Sequence, residues 1–503
     1  PPGRYDIGAA AAGRAGPGRL RVTVPAAGPI EMSLGAPGRL DLDVGVAVTG
    51  AKAARAPVRV VLRGAAGTPD PDFGGPYSAA GARNSFVSPD GRAARPLAPG
   101  LYDVLVTRGP EYDLILERVN VPEGGVATVR GTLARRIDTA GYVAIDPHVH
   151  TSASADSGVA PRDRALACAA EGLAAVVVTD HDAAVGLGDA IEALGLRPWL
   201  AAVVGTEVTT DPSAGPVGRV AVYPVEPEPA GAEAPPLLPW RGLSFAEVPA
   251  RARAVSGAVV QVNHPRGGGG VFDLLGLDPS TLRAAGSFPV EFDALEVANG
   301  RAFDSTGAAV ADWAALVSCG LRVTPTGGSD SHAVAGETCG YPRTYVAAGP
   351  TDPRALGPHL PASAIRSGRV VVSTGPFVVL SVNGRGPGET VTTAGRGVLV
   401  QIRVEAAPWV DVRRARVMVN GVERLAFSPT AQAPEPVRIG AQEPLALAGD
   451  AVVWAEVFGD QPLEPLDPAS PIRPWALTGP IRIDLDRDGA VRPTGSCPPG
   501  APR

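Results

Sequence analysis

Residues 142–151 read Tyr-Val-Ala-Ile-Asp-Pro-His-Val-His-Thr, an apolar run that turns polar at its end. The apolar part, residues 143–146, predicts a β-strand, and His148 and His150 follow directly after it. Three further polar motifs each follow a predicted strand in the same way: Thr179-Asp180-His181, Asn263-His264 and Asp330-Ser331-His332. Five of the six histidines of the chain therefore belong to four motifs at strand ends.

This grouping of histidines beside acidic residues predicts a metal site with more than one ion. Histidine is the commonest neutral ligand for zinc-like ions, and carboxylates add the negative charge that a cluster of cations needs. A single histidine in an apolar element is more often a hydrogen-bonded core residue. A chain with so few histidines, however, has no packing reason to place five of them at strand ends. The sixth, His359, is interpreted as an ordinary surface residue.

Length and charge limit the classes of protein to which the chain can belong. At 503 residues it is too long for a single hydrophobic core and is expected to form about three domains. Its formal charge of -6 at pH 7, without a block of Lys or Arg, predicts neither nucleic acid nor an anionic membrane as a partner. The expected partner is a small-molecule substrate, and the oligomeric state stays open.

Two features bear on the cell compartment. No apolar run approaches the roughly 18 to 20 residues that cross a bilayer, so no transmembrane segment is expected. The sequence starts at Pro1 without an initiator Met, which is interpreted as the loss of an upstream segment. A periplasmic or extracellular location is the expectation, and a cytoplasmic one stays open.

The pattern of apolar residues divides the chain into an α/β centre between two all-β parts. Residues 1–140 show short alternating segments separated by Gly- and Pro-rich turns, which predicts a β-sandwich domain. Within them, residues 99–104 (Pro-Gly-Leu-Tyr-Asp-Val) resemble the signature of carboxypeptidase-regulatory-like sandwiches. The alternation returns over residues 371–490 and predicts a second β-sandwich, followed by a frayed tail over 491–503.

Residues 141–370 alternate between apolar strands and helical stretches. Strands are expected at residues 143–146, 174–179, 200–205, 220–225, 258–263, 294–298 and 322–326. Helices such as 162–171, 245–255 and 308–318 fall between them. This alternation predicts parallel pairing and a distorted (β/α)7 barrel, in which chemistry collects at the carboxyl ends of the strands. Every histidine motif lies at such an end.

The order and spacing of these motifs resemble those of the PHP superfamily, named for polymerase and histidinol phosphatase. The matching motifs are Asp146-Pro147-His148-Val149-His150, Ser154-Ala155-Asp156, Thr179-Asp180-His181, Gly205-Thr206-Glu207, Asn263-His264-Pro265 and Asp330-Ser331-His332. The resemblance covers residues 141–370. Residues 292–299, 340–346 and 368–376 are similar to segments of the carbaryl-hydrolase-like branch, several members of which carry flanking β domains.

The resemblance implies two or three divalent metal ions, such as zinc, manganese or iron. The ligands it implies for a first ion are His148, His150, Glu207 and Asp330. Those for a third are Asp156, His181 and His332. A second ion would share Glu207 as a bridge and use His264. Related sequences usually add a histidine after the bridging Glu, but the matching stretch here carries Arg219, whose protonated guanidinium cannot bind a cation.

Arg219 has two interpretations. Its positive charge would replace a missing cation and attract a phosphoryl or carboxylate group of the substrate, or it marks a site that has fewer metals. A working site with fewer metals is the expectation. Arg266 and Arg343 are further candidate anion anchors, with surface salt bridges as the alternative.

The chemistry that this site implies is hydrolysis by a metal-bound hydroxide. Asp330 would position the water, and the expected catalytic set also contains Glu207, His264, Arg219 and Arg343. The carbaryl-hydrolase-like segments favour cleavage of an ester, carbamate or amide of a small molecule. The alternatives are a phosphoesterase and a non-catalytic module in which metals brace a binding or scaffold protein.

Two other features lead to structural expectations. Cys168 lies on an apolar helix face and is interpreted as structural, while a disulfide between Cys319 and Cys339 is a candidate. The Pro-rich stretch at residues 224–240 is long for a loop inside a domain and is interpreted as a lid or a disordered segment. Trp240 at its end would either close over an apolar substrate or anchor the loop.

Overall fold

The computed structural model describes residues 1–503 except 10, 12, 15, 17, 27, 48–52, 140, 214–216, 228–239, 285–290, 394, 432 and 494–503. The described residues form a mixed α/β protein that is mostly β-sheet, with 28 strands and six α-helices. Most of the expected lid at 224–240 and most of the expected tail at 491–503 lie outside the described residues. None of the described helices is both long enough and apolar enough to span a bilayer.

The N-terminal part is all β. Its strands are β1 (Gly3–Ile7), β2 (Leu20–Val24), β3 (Gly38–Ala47), β4 (Val58–Ala65), β5 (Ser85–Ser88), β6 (Arg92–Leu97), β7 (Gly100–Thr107), β8 (Ile115–Val121) and β9 (Val126–Ala134). After a β1-β2 pair, the rest make two sheets, in the orders β6-β3-β9 and β5-β4-β7-β8. Alternate residues of β3 are buried, and residues from both sheets form one hydrophobic core. Two sheets around one core are compatible with the expected sandwich.

The central part carries the strands whose ends bear the histidine motifs. Its elements are β10 (Tyr142–Val149), α1 (Pro161–Ala170), β11 (Ala175–Val178), α2 (Gly188–Ala193), β12 (Ala201–Val204), β13 (Thr206–Thr209), β14 (Arg219–Tyr223), α3 (Glu247–Ala252), β15 (Val259–Val262), α4 (Val271–Leu274), β16 (Ala294–Asn299), α5 (Thr306–Ser318), β17 (Thr324–Gly328), β18 (Arg343–Ala347), α6 (His359–Arg366) and β19 (Val370–Ser373). Two short 3-10 helices lie at Phe303–Ser305 and Pro353–Ala355. The strands are apolar and buried because both of their faces are covered.

These strands pair as two arcs. In one, β10, β11 and β12 are parallel; the other runs in the order β13-β14-β15-β16-β17. Isolated parallel bridges join the arcs at His181 and Glu207 and at Val149 and Ser331. The amide of Asp330 also donates to the carbonyl of His148 at 2.9 Å. The ends of β10, β11 and β17 are therefore close together.

Strand β14 departs from the expected parallel pattern. It pairs antiparallel with both β13 and β15, so the prediction of parallel pairing is wrong at this strand. The reason is the length of the connection, since the link over 210–218 is shorter than the dozen or so residues that a parallel crossover needs. A hairpin forms instead, and it places Arg219 opposite Thr209.

The C-terminal part is again all β. Its strands are β20 (Phe377–Val382), β21 (Thr390–Thr392), β22 (Gly397–Glu405), β23 (Arg414–Val419), β24 (Val422–Phe427), β25 (Val437–Ala446), β26 (Ala451–Phe458), β27 (Trp475–Thr478) and β28 (Ile481–Asp484). One sheet is β20-β22-β25. The other continues the central sheet across the boundary expected at residue 370, because β19 pairs with β18 on one side and β27 on the other.

Buried polar contacts join the three parts. The guanidinium of Arg59 on β4 donates to Glu171, directly after α1, at 2.5 Å and to the carbonyl of Pro465 at 2.9 Å. The side chains of Arg59 and Glu171 are only 9% and 1% exposed, so this ion pair is shielded from solvent. A buried pair of this kind is costly to break on one side only, which fixes the relative position of the parts.

A disulfide links Cys168 in α1 to Cys339, across 171 residues of chain. The expected pairing of Cys319 with Cys339 is therefore wrong. The buried face of α1 packs against the loop that follows β17, so Cys168 is the cysteine that lies next to Cys339. The link ties a helix to the loop that carries Asp330 and His332.

The double substitution Cys168→Ser/Cys339→Ser is expected to lower the free energy of unfolding by about 2–4 kcal/mol, since it releases a long closed loop in the unfolded chain. Urea unfolding followed by tryptophan fluorescence measures this. Thr338→Ser, next to the disulfide, serves as the control and is expected to leave the midpoint unchanged. Equal midpoints for the double variant and the wild type would contradict the stabilising role of the link.

Candidate metal centre

The strand ends bring all eight predicted ligands into one pocket. His148 and His150 end β10, His181 follows β11, Glu207 lies in β13, His264 follows β15, Asp330 and His332 follow β17, and Asp156 lies in the loop after β10. Three groups of these side chains have ligand atoms close enough to hold an ion. The groups are His148, His150 and Asp330; His148, Glu207 and His264; and His150, Asp156, His181 and His332.

Backbone turns aim two of these side chains into the pocket. Asp330 and His264 have φ values of +52° and +26°, in the left-handed region that non-glycine residues rarely adopt. Such conformations cluster at functional sites, where surrounding contacts hold them. The buried carboxylate of Asp146 supplies some of these contacts, because it accepts the amide protons of His148 at 3.2 Å and Ser329 at 3.0 Å.

The hydrogen bonds of His148 and His150 fix the tautomers of both rings. Nδ1 of His148 lies 2.9 Å from the Glu296 carboxylate and must carry a proton to bond with it. Nδ1 of His150 lies 2.9 Å from Oγ of Ser154, which donates its own proton to Asp180 at 3.0 Å and so accepts one from the ring. Both Nε2 atoms therefore direct a lone pair into the pocket.

These two lone pairs converge. The Nε2 atoms of His148 and His150 are 3.1 Å apart, and Oδ1 of Asp330 lies 3.3 and 3.2 Å from them. Three electron-rich atoms this close repel one another unless a proton or a cation lies between them. The donor set of two imidazoles and a carboxylate is typical of zinc-like ions.

Glu207 lies between the ligand groups. Its Oε1 atom is 3.2 Å from Nε2 of His264 and accepts a hydrogen bond from Asn263 at 2.9 Å. Its Oε2 atom is 3.1 Å from Nδ1 of His181, yet it is buried and makes no hydrogen bond with any described residue. A buried oxygen without a donor is costly, and a shared cation would compensate for it.

Asp156, His181 and His332 form the more open side of the pocket. Oδ2 of Asp156 is 3.4 Å from His181 Nε2 and 3.3 Å from His332 Nε2, and the Asp156 side chain is 48% exposed. Nδ1 of His332 lies 2.8 Å from the carbonyl of Asp330 and 3.1 Å from Nη1 of Arg301, while its Nε2 lies beside Asp156. This buried atom, like Glu207 Oε2, has no hydrogen-bond partner among the described residues.

The pKa values of the cluster show how strongly its charges interact. Burial alone would lower the pKa of His148, but the carboxylates of Glu296, Asp330 and Glu207 together raise it well above its usual value. Burial lowers the pKa of His150 to about 4. Without a cation, these carboxylates therefore favour a proton on Nε2 of His148, at the lone pair that would otherwise bind the ion.

Two half-exposed arginines flank the pocket. Nη1 of Arg219 lies 2.8 Å from His181 Nε2, and its nearest approach to Glu207 is 3.9 Å, so it occupies the place where a ninth ligand was expected. On the other side, Nη1 of Arg301 lies 3.1 Å from His332 Nδ1. Their side chains are 39% and 46% exposed, so both guanidinium groups can reach a molecule that enters the pocket.

Two other arginines do not lie at the site. Arg343 is completely buried and donates to the carbonyls of Gly340 and Glu171, so its predicted role as a catalytic anion anchor is wrong. Arg266 makes two hydrogen bonds to Asp312, at 2.6 and 2.7 Å, so it forms a salt bridge as the alternative expects, but a mostly buried one instead of one at the surface. Sequence alone does not show which arginines have an internal carbonyl or carboxylate as a partner.

Trp240 anchors its loop. The side chain is only 4% exposed and packs in the hydrophobic core with Leu243 and Phe245. It does not close over the metal pocket, so the second of the two interpretations from the sequence is confirmed.

Several supporting residues were missed from the sequence. Glu296 orients His148 and accepts the amide proton of His264 at 2.8 Å, and Asn299 donates to both Glu296 and Asp330. Ser154 and Asn263 also belong to this set. The available signal was position, since Glu296 and Asn299 lie in a predicted strand whose end faces the motifs.

Comparisons of this chain with known proteins find distant structural neighbours. No protein-family model and no curated protein matches it. An amidohydrolase from Chromobacterium violaceum, solved with bound sulfate and no metal, is 20% identical, with a TM-score of 0.27 over 39% of this chain and 89% of that one. The CARDB domain of a Pyrococcus furiosus protein is 13% identical, with a TM-score of 0.16 over 22% of this chain and 96% of that one. Scores this low carry no argument about fold or function.

Glu296→Gln is expected to weaken zinc binding by about tenfold or more, because it removes the charge that holds His148 in its ligating tautomer. Competition with a chromophoric chelator measures the affinity. The control is Glu291→Gln, a carboxylate that is 60% exposed and paired with Arg253 outside the pocket. If both variants bind zinc like the wild type, Glu296 does not orient a ligand.

Proposed function

We propose that this chain is a metal-dependent hydrolase of the PHP type. The observation that supports it most is the convergence of the His148 and His150 lone pairs on Asp330, beside two buried atoms without partners, Glu207 Oε2 and His332 Nε2. The residues present therefore fit a group of divalent cations, zinc, manganese or iron, two or three in number. We also propose that the two arcs of central strands form the distorted (β/α)7 barrel of that superfamily.

The eight ligands divide among the cations as the PHP resemblance implies. His148, His150 and Asp330 would hold the first, and Glu207 and His264 would contribute to a second. Asp156, His181 and His332, on the open side of the pocket, would hold the third. When bound, these cations supply an activated water and stabilise negative charge on a substrate oxygen.

The side chains of the pocket orient the reacting groups. The pKa of Asp330 is held below its usual value, because against the cost of burial the imidazoles of His148 and His150 stabilise the carboxylate. Asn299 donates to Oδ2 of Asp330 at 3.3 Å and so fixes the orientation of this carboxylate. Asp330 would thereby hold a water on the buried side of the pocket in position for attack.

The substrate enters from the opposite side. His264, Asp156 and Arg219 are the partly exposed members of the pocket there, with His264 21% exposed. The guanidinium of Arg219 stabilises the charge that develops on the substrate oxygen during attack. We propose an ester, carbamate or amide of a small molecule as the substrate, on the strength of the carbaryl-hydrolase-like segments at residues 292–299, 340–346 and 368–376.

A phosphoesterase is the second candidate. Arg219 and Arg301 lie on two sides of the pocket, at 2.8 Å from His181 and 3.1 Å from His332. Two guanidinium groups around one entrance suit a doubly charged phosphoryl group better than a neutral carbonyl. Comparing neutral with phosphorylated substrates separates the two candidates.

Protein purified without added metal is expected to contain two or more equivalents of zinc, manganese or iron by plasma mass spectrometry. His181→Ala removes a ligand from the open side and should lower the content by about one equivalent. The matched control is His359→Ala, because His359 lies in α6 outside the pocket. Less than one equivalent, unchanged in His181→Ala, would contradict the proposal and favour a scaffold module.

The same metal-loaded protein is then tested on esters, carbamates, amides and phosphate monoesters of one chromophoric alcohol or amine. Hydrolysis that Asp330→Asn abolishes supports the proposed enzyme, and the preferred compound distinguishes the two candidates. Full metal content without hydrolysis of any compound would indicate that the metals brace the fold.

Substitution of Arg219 tests whether its charge acts on the substrate. Arg219→Ala is expected to lower kcat by about tenfold to a hundredfold, since it removes one donor to the developing charge. Arg219→His restores the side chain usual in the related sequences and is expected to raise the metal content. Steady-state kinetics and mass spectrometry give the two readouts. Unchanged kcat and metal content in both variants would remove any role for this arginine.

A further inference from the structure

A cleft lies beside the metal centre where the three parts of the chain meet. Its volume is about 560 Å³. The N-terminal part contributes Tyr77 and Arg83, the loops after β16 and β17 contribute Arg301 and Glu337, and the C-terminal part contributes residues 466–472. A second cavity of about 620 Å³ shares Arg83 with the first, so the depression continues away from the metals.

Glu337 in the wall of this cleft also holds the backbone of His332, a predicted metal ligand. One carboxylate oxygen of Glu337 accepts the amide protons of His332 at 2.6 Å and Ala333 at 3.1 Å. Arg301 lies 3.5 Å from the other oxygen of Glu337 and 3.1 Å from the His332 ring. A molecule bound in the cleft therefore reaches the edge of the metal pocket through Arg301.

The N-terminal part is fixed at this wall. The carbonyl of Pro76 accepts the amide proton of Val334 at 2.7 Å, and Asp163 accepts that of Ala79 at 2.7 Å. The ring of Tyr77 packs against Gly158, in the loop that carries Asp156, where an added Cβ would come within 2.9 Å of it. The cleft is thus formed in advance of binding, which lowers the entropic cost of ordering it around a ligand.

The unpaired donors that face the cleft favour an anion. Among the described residues, no carboxylate or hydrogen-bond acceptor is paired with the Arg83 guanidinium, although this side chain lines both cavities. Two carboxylates also line the cleft, but backbone amides orient them, since Glu337 accepts the protons of His332 and Ala333 and Asp467 accepts that of Ala469 at 2.9 Å. Arg83 and the donors of Arg301 that do not face Glu337 therefore remain available to a ligand.

We propose that this cleft binds an anionic group of the substrate, a carboxylate or a phosphoryl, remote from the bond that is cleaved. Arg83 is its specificity-determining residue, and Arg301 connects the anion to the reacting end. The assignment to a substrate rests on the proposed hydrolase function, whereas anion binding by the cleft does not. The N-terminal part is then a component of the binding site and supplies binding energy away from the chemistry.

The test is titration calorimetry of the full-length, metal-loaded chain with succinate and, separately, with inorganic phosphate. Arg83→Gln is expected to weaken binding of at least one probe by about tenfold or more, the loss expected for one charge-assisted hydrogen bond. Arg118→Gln is the matched control, because this exposed arginine of the N-terminal part pairs with Asp103 on its own sheet. The stronger probe identifies the anion as carboxylate or phosphoryl.

Three outcomes would overturn the inference. They are no binding of either probe to the wild type, equal binding by wild type and Arg83→Gln, or phosphate binding that only His181→Ala weakens. The proposed hydrolase fails by different results, namely low metal content or no turnover. If the protein shows no turnover but Arg83→Gln still weakens anion binding, the proposed anion site is supported and the proposed hydrolase function is contradicted.

Discussion

The structure at the centre of this protein depends on compensating the negative charge of carboxylates that are buried away from water. Three carboxylates, those of Glu207, Glu296 and Asp330, are almost completely buried within one pocket. Burying ions costs several kcal/mol each unless opposite charge lies close to them. The imidazole nitrogens that converge on these oxygens compensate part of this negative charge. A cation held by the same atoms would compensate the rest.

The surrounding hydrogen bonds follow from this constraint. Each ring can direct the Nε2 lone pair into the pocket only if its Nδ1 proton has an acceptor outside the pocket, and the chain supplies such an acceptor for His148 and His150. Arg164 in α1 then joins the strand ends, because it donates to the carbonyls of His150 and Ser331, both at 2.8 Å. Arg164 thereby fixes the relative position of the two loops that carry the candidate ligands.

The sequence predicts which side chains meet in the pocket, because these residues follow two local rules. An apolar run predicts a buried strand, and the polar residues after it lie at the strand's carboxyl end, so the approximate position of His148 or Asp330 follows without knowledge of the rest. The errors concern properties set by the whole fold. The burial of Arg343, the pairing of Cys168 with Cys339, and the contacts of Arg301 depend on segments that are distant in sequence. The hairpin at β14 was missed because the periodicity of a strand does not show whether it pairs parallel or antiparallel with its neighbours.

The position of Arg219 favours replacement of a cation over decay of the site. A decayed position would be free to turn toward solvent, since a long flexible side chain gains entropy there. Instead the guanidinium lies 2.8 Å from His181 and 3.9 Å from the bridging Glu207, and it is only 39% exposed. It supplies one positive charge where a divalent ion would supply two. Cations bound at the other positions would therefore meet more of the negative charge of the pocket, which would hold them more tightly.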